Sequence, residues 1–180
     1  MVEDDSNPFW RFSISLYGRE GVAAACLGLQ DRLELDVNLL LFCCWTGSRG
    51  RAQGELEIAA LIAETRDLRE QVVQPLRAAR RWLKGQVPAL GPAAGRLRAD
   101  IKASELAAEK IQQDLMFQAH AVPEGAPSAV AVAGNLRAYL TALGRAPSVT
   151  DISDLAAVLR GACPELAPLD AIRLLDRDDG

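Results

Sequence analysis

The apolar run from Asp36 to Gly47, DVNLLLFCCWTG, constrains this chain more than any other stretch. Between Val37 and Trp45 it holds one polar residue, Asn38. Wound as a helix, the run is apolar on every side, and such a helix must be buried on all of them. It is too short to cross a bilayer, which requires roughly 20 apolar positions. We therefore expect other protein segments to surround it.

The composition favours helices for those surrounding segments. Hydrophobic residues make up 49% of the 180 residues and aromatic residues only 5%. Ala and Leu are abundant whereas Thr and Ile are few, a balance that favours helices over strands. We predict an all-α fold, an irregular bundle of about seven to nine helices around one short, fully buried helix.

Turn residues and charge divide the chain into parts. Residues 7–121 are predicted to form the main helical domain, which includes an extended pair of helices from Asp67 to Ala121. Residues 122–128 (VPEGAPS) are typical of a linker. Residues 129–175 are predicted to form a small C-terminal helical unit packed on the main domain. Residues 1–6 and 176–180 are rich in acids, and we interpret them as solvated tails.

Capping residues mark the start of three predicted helices. Asn7 followed by Pro8 is typical of the first turn of a helix, because Asn accepts from free backbone N–H groups and Pro loses no hydrogen bond there. Asp36 can cap the apolar run in the same way. Ser148 and Asp151 have the spacing of a capping box. These positions therefore fix three helix starts.

Proline and glycine predict two disturbances in the extended pair. Pro75 lies inside the apolar pattern of residues 67–84, where it removes a backbone donor, so we expect a kink near residues 72–74. Residues 85–95 (GQVPALGPAAG) are predicted to break the chain before a helix that opens at Pro92.

The helix after Pro92 carries a heptad-like seam. Its apolar or small positions recur at alternating steps of four and three: Leu97, Ile101, Ser104, Ala108, Ile111 and Leu115. Packing of this seam on the preceding helix of the same chain is the simpler interpretation. The alternative is a coiled coil between two copies of the chain, which makes a homodimer a possible assembly.

Two runs carry a family resemblance. NPFWRFSISLYGREGVAAACLGLQDRLELDVNLLLFCCW, followed by VVQPLRAARRWLK, resembles a family of uncharacterised bacterial helical proteins catalogued only as a domain of unknown function. The resemblance covers roughly Asn7 to Gln118 and is most specific at residues 9–12, 36–42 and 75–81. It implies a helical fold and no activity. The family tends to have Gly where this chain has Glu34, and a left-handed Glu34 costs about 1 kcal/mol relative to Gly.

The sequence lacks the common motifs for catalysis and cofactor binding. A single His120, with no Glu three residues before it, does not fit the paired Glu-x-x-His pattern of di-iron bundles. Cys43 and Cys44 point about 100° apart on a helix and cannot readily chelate one ion together. There is no GxSxG, P-loop or GxGxxG. We predict no catalytic residue, cofactor or metal, and reduced, buried thiols at the four cysteines.

Glu105 and Glu109 are spaced so that they share one helix face. Paired carboxylates can work as a general acid and base when they lie in a pocket. The ordinary interpretation is a solvated face that Lys102 and Lys110 neutralise. We therefore do not expect these carboxylates to be catalytic.

A basic stripe is the most suggestive surface feature. Residues 66–102 hold nine basic residues and three acidic ones. The candidate partner surface consists of Arg77, Arg80, Arg81 and Lys84, which suit phosphates, carboxylates or an acidic protein. The alternative is that the stripe is solvated or pairs with the acids of the next helix: Asp100, Glu105 and Glu109. Nucleic acid is not expected, because the pI is about 5.1 and no docking motif is present.

A second candidate site surrounds the start of the apolar run. Asp31, Asp36 and Asn38 are its nearest polar residues, and capping or turn formation explains them simply. Alternatively, Asp36 and Asn38 lie at the mouth of an internal pocket whose apolar walls are Trp10 and Trp45. Such a pocket suits a small amphipathic ligand.

The functional prediction is a non-enzymatic interaction or adaptor protein that binds an unknown protein partner. The alternative is a helical bundle that binds a small apolar or anionic ligand, and an enzyme with dispersed catalytic residues stays open. The N-terminus opens acidic, unlike a secretory signal, so we expect a cytoplasmic protein without a membrane partner.

Overall fold

The computed structural model describes residues 7–176, and all regular structure within them is helical. The elements are α1 (Pro8–Tyr17), α2 (Val22–Leu33), α3 (Val37–Ser48), α4 (Glu55–Leu68), a π-helical turn (Arg69–Val73), α5 (Gln74–Leu90), α6 (Pro92–Ala119), α7 (Ala129–Ala142), α8 (Val149–Ala162) and α9 (Pro168–Leu175). The all-α prediction is confirmed. The predicted acidic tails lie outside the described residues, apart from Asp176, which ends α9.

Helix α3 lies at the centre, and its residues 38–47 are all buried. It contacts α1, α2, α6, α7 and α8. Helix α3 approaches α7 closely at Gly47, where an added Cβ would lie 2.5 Å from the backbone N and Cα of Val132. At the same end, Phe9, Phe42 and Trp45 form an aromatic cluster with ring centroids 5.1 to 5.6 Å apart. Glycine at position 47 is therefore required for α3 and α7 to pack.

Buried hydrogen bonds fix the N-terminal end of α3. The Asp36 side chain caps it by accepting from the backbone N–H of Asn38 at 2.9 Å, as predicted. The Tyr139 hydroxyl accepts from the backbone N–H of Asp36 at 2.9 Å. A buried polar group is costly unless it is hydrogen-bonded, and these bonds remove that cost.

A separate set of buried hydrogen bonds fixes the C-terminal end of α3. Asn135 Nδ2 donates to the carbonyl oxygens of Cys43 (3.1 Å) and Arg51 (3.0 Å). Asn135 Oδ1 accepts from the backbone N–H of Gln53 at 2.7 Å. Together these bonds hold α7 and the loop after α3 against the end of the central helix.

Helices α4 and α5 form one run that the π-helical turn interrupts. The predicted disturbance near residues 72–74 takes the form of this turn, which ends at Val73, two residues before Pro75. Proline has no backbone N–H to donate, and the wider hydrogen-bonding pattern of a π-helical turn accommodates this missing donor. The predicted break over residues 85–95 is confined to Gly91, because α5 continues to Leu90 with Pro88 inside it. The chain reverses at Gly91, whose φ of 78° favours glycine, and α6 starts at Pro92 as predicted.

Helices α5 and α6 pack side by side as a hairpin, joined by Gly91 alone. The buried side of α6 differs from the predicted seam. Leu97, Ile111 and Leu115 are 51%, 54% and 46% exposed, whereas Glu105 is 5% exposed and Gln112 is buried. The predicted packing of the whole seam on the preceding helix is therefore wrong, because the polar side of α6 finds hydrogen-bond and ion-pair partners in α3 and α5.

Residues 121–128, which include the predicted linker, form no helix. The helices after them pack into the same core as the first four: α7 contacts α3 and α4, α8 contacts α2, and α9 contacts α7 and α8. Between residues 7 and 176, no helix is long and apolar enough to cross a membrane.

Candidate ligand-binding cleft

A cleft with a volume of about 570 Å³ opens between α1, α2, α3, α5 and α6. Three of its lining residues are large apolar side chains that stay well exposed: Ile14 at 58%, Leu27 at 46% and Leu106 at 53%. Trp10, Val37 and Leu41 extend the apolar lining. Cavities for small ligands are lined mainly by apolar groups with a few polar ones, and the volume lies within their usual range.

Two buried polar side chains line this cleft without satisfying their hydrogen-bonding groups. Ser13 is 3% exposed and Gln113 is 2% exposed. Within residues 7–176, neither Ser13 Oγ nor Gln113 Oε1 has a hydrogen-bond partner. The amide of Gln113 is oriented by its other end, since Nε2 donates to Asn38 Oδ1 at 2.8 Å. An unpaired buried polar atom costs about 1–3 kcal/mol, so a ligand that reaches these two atoms after a small shift of the lining side chains recovers that cost.

Ser13 differs from Thr65 and Ser104, two other hydroxyl-bearing residues in helices of this chain. The hydroxyls of Thr65 and Ser104 each donate to the carbonyl oxygen four residues earlier, both at 3.0 Å. A helical serine or threonine commonly satisfies its hydroxyl in this way. Ser13 has no such bond among the described residues. Its hydroxyl can therefore bind a group in the cleft without breaking an existing hydrogen bond.

Ion pairs between α5 and α6 form the charged side of the cleft. Arg77 donates from Nε to Glu105 Oε1 at 2.9 Å, and from its terminal nitrogens to Glu109 and Gln30, each at 2.5 Å. Arg80 also donates to both carboxylate oxygens of Glu105. Two members of the candidate partner surface, Arg77 and Arg80, therefore form ion pairs within the chain. Pairing with Glu105 and Glu109 is the alternative interpretation of the basic stripe.

The other two basic residues of the predicted stripe, Arg81 and Lys84, are exposed to solvent. Arg81 pairs with Asp31 at 2.8 Å, with both side chains more than half exposed. Lys84 is exposed. An exposed ion pair of this kind contributes little to stability. The four basic residues therefore divide into two that are bound to buried or half-buried acids and two that face solvent.

The prediction that Glu105 and Glu109 form a solvated face is wrong. Glu105 is buried, and Lys110 pairs with Asp114 at 2.9 Å. Burial opposes ionisation of Glu105, but hydrogen bonds from Arg80 and Arg77 outweigh it and lower the pKa of this carboxyl below its ordinary value. Burial raises the pKa of Glu109, and the charge of Arg77 only partly offsets that effect. The two acids thus differ although they share a helix face.

The predicted pocket-mouth residues lie in three different places. Trp10 and Asn38 line the cleft. Asp36 is buried beneath it, where its carboxylate accepts from Gln112 at 2.6 Å and lies 3.3 Å from Arg69 Nε. Trp45 lines a separate hollow of about 290 Å³ near the other end of α3. Asn38 and Trp45 are two helical turns apart, which prevents them from forming one mouth.

Several cleft residues were not predicted, chiefly Ser13, Leu27, Leu106 and Gln113. All four lie in helices, where packing within the bundle or exposure to solvent is an adequate explanation for each residue from the sequence alone. The sequence gives one indication of the cleft, because Leu106 is an apolar residue on the side of α6 away from the predicted seam. This position indicates a cleft only if the polar side of α6 is the buried one.

The remaining reactive side chains do not form a centre. Burial raises the pKa of the Cys26 thiol to about 12 and raises the pKa values of Cys43 and Cys44 as well, so these thiols stay protonated at neutral pH. His120 ends α6, with Nε2 lying 3.0 Å from Glu64 Oε2. In the described part of the chain, no three His, Cys, Asp or Glu side chains are grouped so that they could hold a metal ion.

Comparison with known proteins identifies the family of this chain. The model of the family described as "Protein of unknown function (DUF2390)" matches residues 8–116, well over half of the chain. This segment contains every residue that lines the cleft. Searches of curated proteins and of solved structures found no match. The chain belongs to the DUF2390 family.

Proposed function

We propose that this protein binds a small amphipathic molecule in the cleft between α1, α2, α3, α5 and α6. The observation that carries the proposal is the pair of unsatisfied buried polar atoms, Ser13 Oγ and Gln113 Oε1, in an open and largely apolar cleft. A ligand that supplies their hydrogen bonds recovers the cost of burying them. The same ligand covers the exposed side chains of Ile14, Leu27 and Leu106.

The lining defines the chemical class of the ligand. Gln113 Oε1 is an acceptor, so it requires a hydroxyl or N–H donor on the ligand. The ionisable side chains in the lining favour an anionic group, since Arg77, Arg80, Arg81 and Lys102 outnumber Glu105 and Glu109. Lys102 is exposed, which makes it the natural contact for that group. The ligand class is therefore a small organic anion with an apolar body and a hydrogen-bond donor.

The ion pairs support binding over proton-transfer chemistry. Both oxygens of Glu105 accept from arginines, and Glu109 accepts from Arg77. The two arginines stabilise Glu105 in its charged form, so this carboxylate is a poor proton acceptor. The same contacts weaken the alternative of an adaptor that uses the basic stripe, because Arg77 and Arg80 would have to leave Glu105 to bind a partner.

A fluorescent probe of this class tests the proposal. 1-Anilinonaphthalene-8-sulfonate carries an aromatic body, an N–H donor and a sulfonate. We expect saturable binding of one probe per chain, with at least a tenfold loss of affinity in Leu106→Trp, which fills the cleft from an exposed position. Leu169→Trp is the matched control, because Leu169 is 67% exposed on α9 and lies outside the cleft lining.

The two variants separate binding in the cleft from other binding. Equal probe affinity in wild type, Leu106→Trp and Leu169→Trp would contradict the proposal. Thermal unfolding of the three proteins checks that the substitutions leave the fold intact. Native mass spectrometry of the purified wild type then identifies a natural ligand as excess mass that disappears on denaturation.

A further inference from the structure

The α5–α6 hairpin has a side turned away from the cleft that carries almost no charge. On α6 this side holds eight exposed positions within one sector of the helical wheel: Ala93, Leu97, Asp100, Ser104, Ala107, Ile111, Leu115 and Gln118. Asp100 is the one charged residue among them. A helix face that stays in water normally carries many charged residues. This composition is typical of a surface that another protein covers.

Helix α5 contributes a matching face. Its four basic residues all lie in the sector that borders the cleft, whereas the opposite sector holds Pro75, Ala78, Ala79, Trp82, Gly85, Gln86 and Ala89. Trp82 is 62% exposed in the middle of these small residues. Trp is the side chain most enriched among the dominant contacts of interfaces. The uncharged surface, defined by these residues of α5 and α6, therefore continues across both helices.

The one hydroxyl near the centre of the uncharged surface is already satisfied. Ser104 Oγ donates to the carbonyl oxygen of Asp100 in its own helix at 3.0 Å. Burying Ser104 against another protein thus leaves no hydrogen-bond donor without an acceptor. Its small side chain also allows a second helix to approach closely.

The spacing on α6 is symmetric about Ser104. Leu97 lies seven residues before it and Ile111 seven residues after it. A two-fold interface requires the same patch on both partners, so that residue i meets j and j meets i. Antiparallel α6 helices crossing at Ser104 place Leu97 of one copy beside Ile111 of the other. The surface is therefore complementary to itself.

The size of the surface also fits a dimer. Helix α6 has 28 residues and is about 40 Å long, whereas α5 has 17 residues and is about 25 Å long. With about 10 Å of width for each helix, the face covers about 650 Å², which lies within the roughly 600–1,000 Å² that each partner of a stable complex buries. We propose that the uncharged surface of the α5–α6 hairpin joins two copies of this chain in an antiparallel, two-fold dimer.

Sedimentation velocity of the full chain tests the dimer. We expect the mass to rise with concentration from the 19.4 kDa of one chain to twice that value. The double variant Leu97→Glu with Ile111→Glu should raise the dissociation constant by about 100-fold or more, because each charge is buried twice in a two-fold interface. The matched control is Leu56→Glu with Leu169→Glu, at positions that are 87% and 67% exposed elsewhere.

Cysteine cross-linking tests the orientation. Under a thiol oxidant, Ser104→Cys should form a disulfide-linked dimer, because the two copies meet at this residue. Leu97→Cys should not, since its counterpart is Ile111, and wild type controls for the natural cysteines. A wild-type chain that stays at 19.4 kDa at every concentration, or a dimer that survives the double variant, overturns the proposal. Efficient cross-linking of Leu97→Cys overturns the antiparallel arrangement.

Discussion

Arg77 on α5 donates from Nε to Glu105 Oε1 on α6 across 2.9 Å and ties the two helices of the hairpin together beside the cleft. The same guanidinium donates from a terminal nitrogen to Glu109 Oε1 at 2.5 Å. Both side chains of the Arg77–Glu105 pair are largely buried, at 18% and 7% exposure. This relationship makes Arg77 a structural residue of the cleft wall.

Replacement of Arg77 is therefore expected to destabilise the fold. Arg77→Gln leaves Glu109 in a half-buried site without its cation, and we expect a loss of about 3 kcal/mol in the free energy of unfolding. Arg81→Gln is the control, because its pair with Asp31 is exposed and its loss should cost less than about 1 kcal/mol. Urea unfolding at neutral pH measures both. Equal stability of the two variants would show that Arg77 is not a structural residue.

Asp151 predicts a dependence of stability on pH. It is buried at the start of α8, where its carboxylate accepts from the backbone N–H of Ser148 at 2.9 Å and from Arg32 Nε at 2.7 Å. Burial opposes ionisation, but the hydrogen bonds from Ser148 and Arg32 outweigh it and lower the pKa of Asp151. Because the pKa is lower in the folded state, this stabilisation is fully present above the ordinary value of about 3.9 and is lost as the pH falls below it.

Asp151→Asn isolates this effect. At neutral pH we expect the variant to be less stable by about 1–2 kcal/mol, because Asn pairs more weakly with Arg32 and with the cap. The difference from wild type should shrink as the pH falls below about 4. Asp170→Asn, at an exposed residue of α9, should show little change at any pH. A difference for Asp151→Asn that stays constant with pH would contradict this assignment.

Local features were predictable from sequence and long-range polar pairing was not. The caps at Asn7, Asp36 and Ser148 depend on residues within three positions, and the structure has all three. The buried side of α6 depends on partners far along the chain, such as Asp36 for Gln112 and Arg77 for Glu105. An apolar pattern assigns the inner side of a helix correctly only when the inner side is apolar. The cleft could not be predicted for the same reason, because polar residues of α6 form part of its wall.

Glu34 allows a test of backbone strain. Its φ of 58° makes it the one non-glycine residue with a positive φ among residues 7–176. The conformation costs about 1 kcal/mol for a residue with a Cβ, so we expect Glu34→Gly to stabilise the protein by up to that amount. The loss of the exposed Glu34–Arg145 ion pair should subtract little. Glu34→Ala, which keeps the Cβ and removes the ion pair, is the control. A Gly variant no more stable than the Ala variant would show that the strain is absent.

Ser13 should show opposite effects on stability and on ligand binding. Ser13→Ala removes a buried hydroxyl that has no partner in the described part of the chain, so we expect the free energy of unfolding to rise by about 1 kcal/mol. If the hydroxyl binds a ligand, the same variant should bind 1-anilinonaphthalene-8-sulfonate or the natural ligand several-fold more weakly. A side chain that only stabilises the fold cannot give higher stability together with weaker binding when it is replaced, because its replacement lowers the free energy of unfolding.

The control for Ser13 is Ser104→Ala, which removes an exposed helical hydroxyl outside the cleft. We expect it to leave binding in the cleft unchanged and to shift stability by less than about 0.5 kcal/mol. Urea unfolding and a binding titration on the same protein samples measure both quantities. A Ser13→Ala variant that is less stable than wild type would indicate that the hydroxyl is hydrogen-bonded within the protein, and it would remove one of the two atoms on which the binding proposal rests.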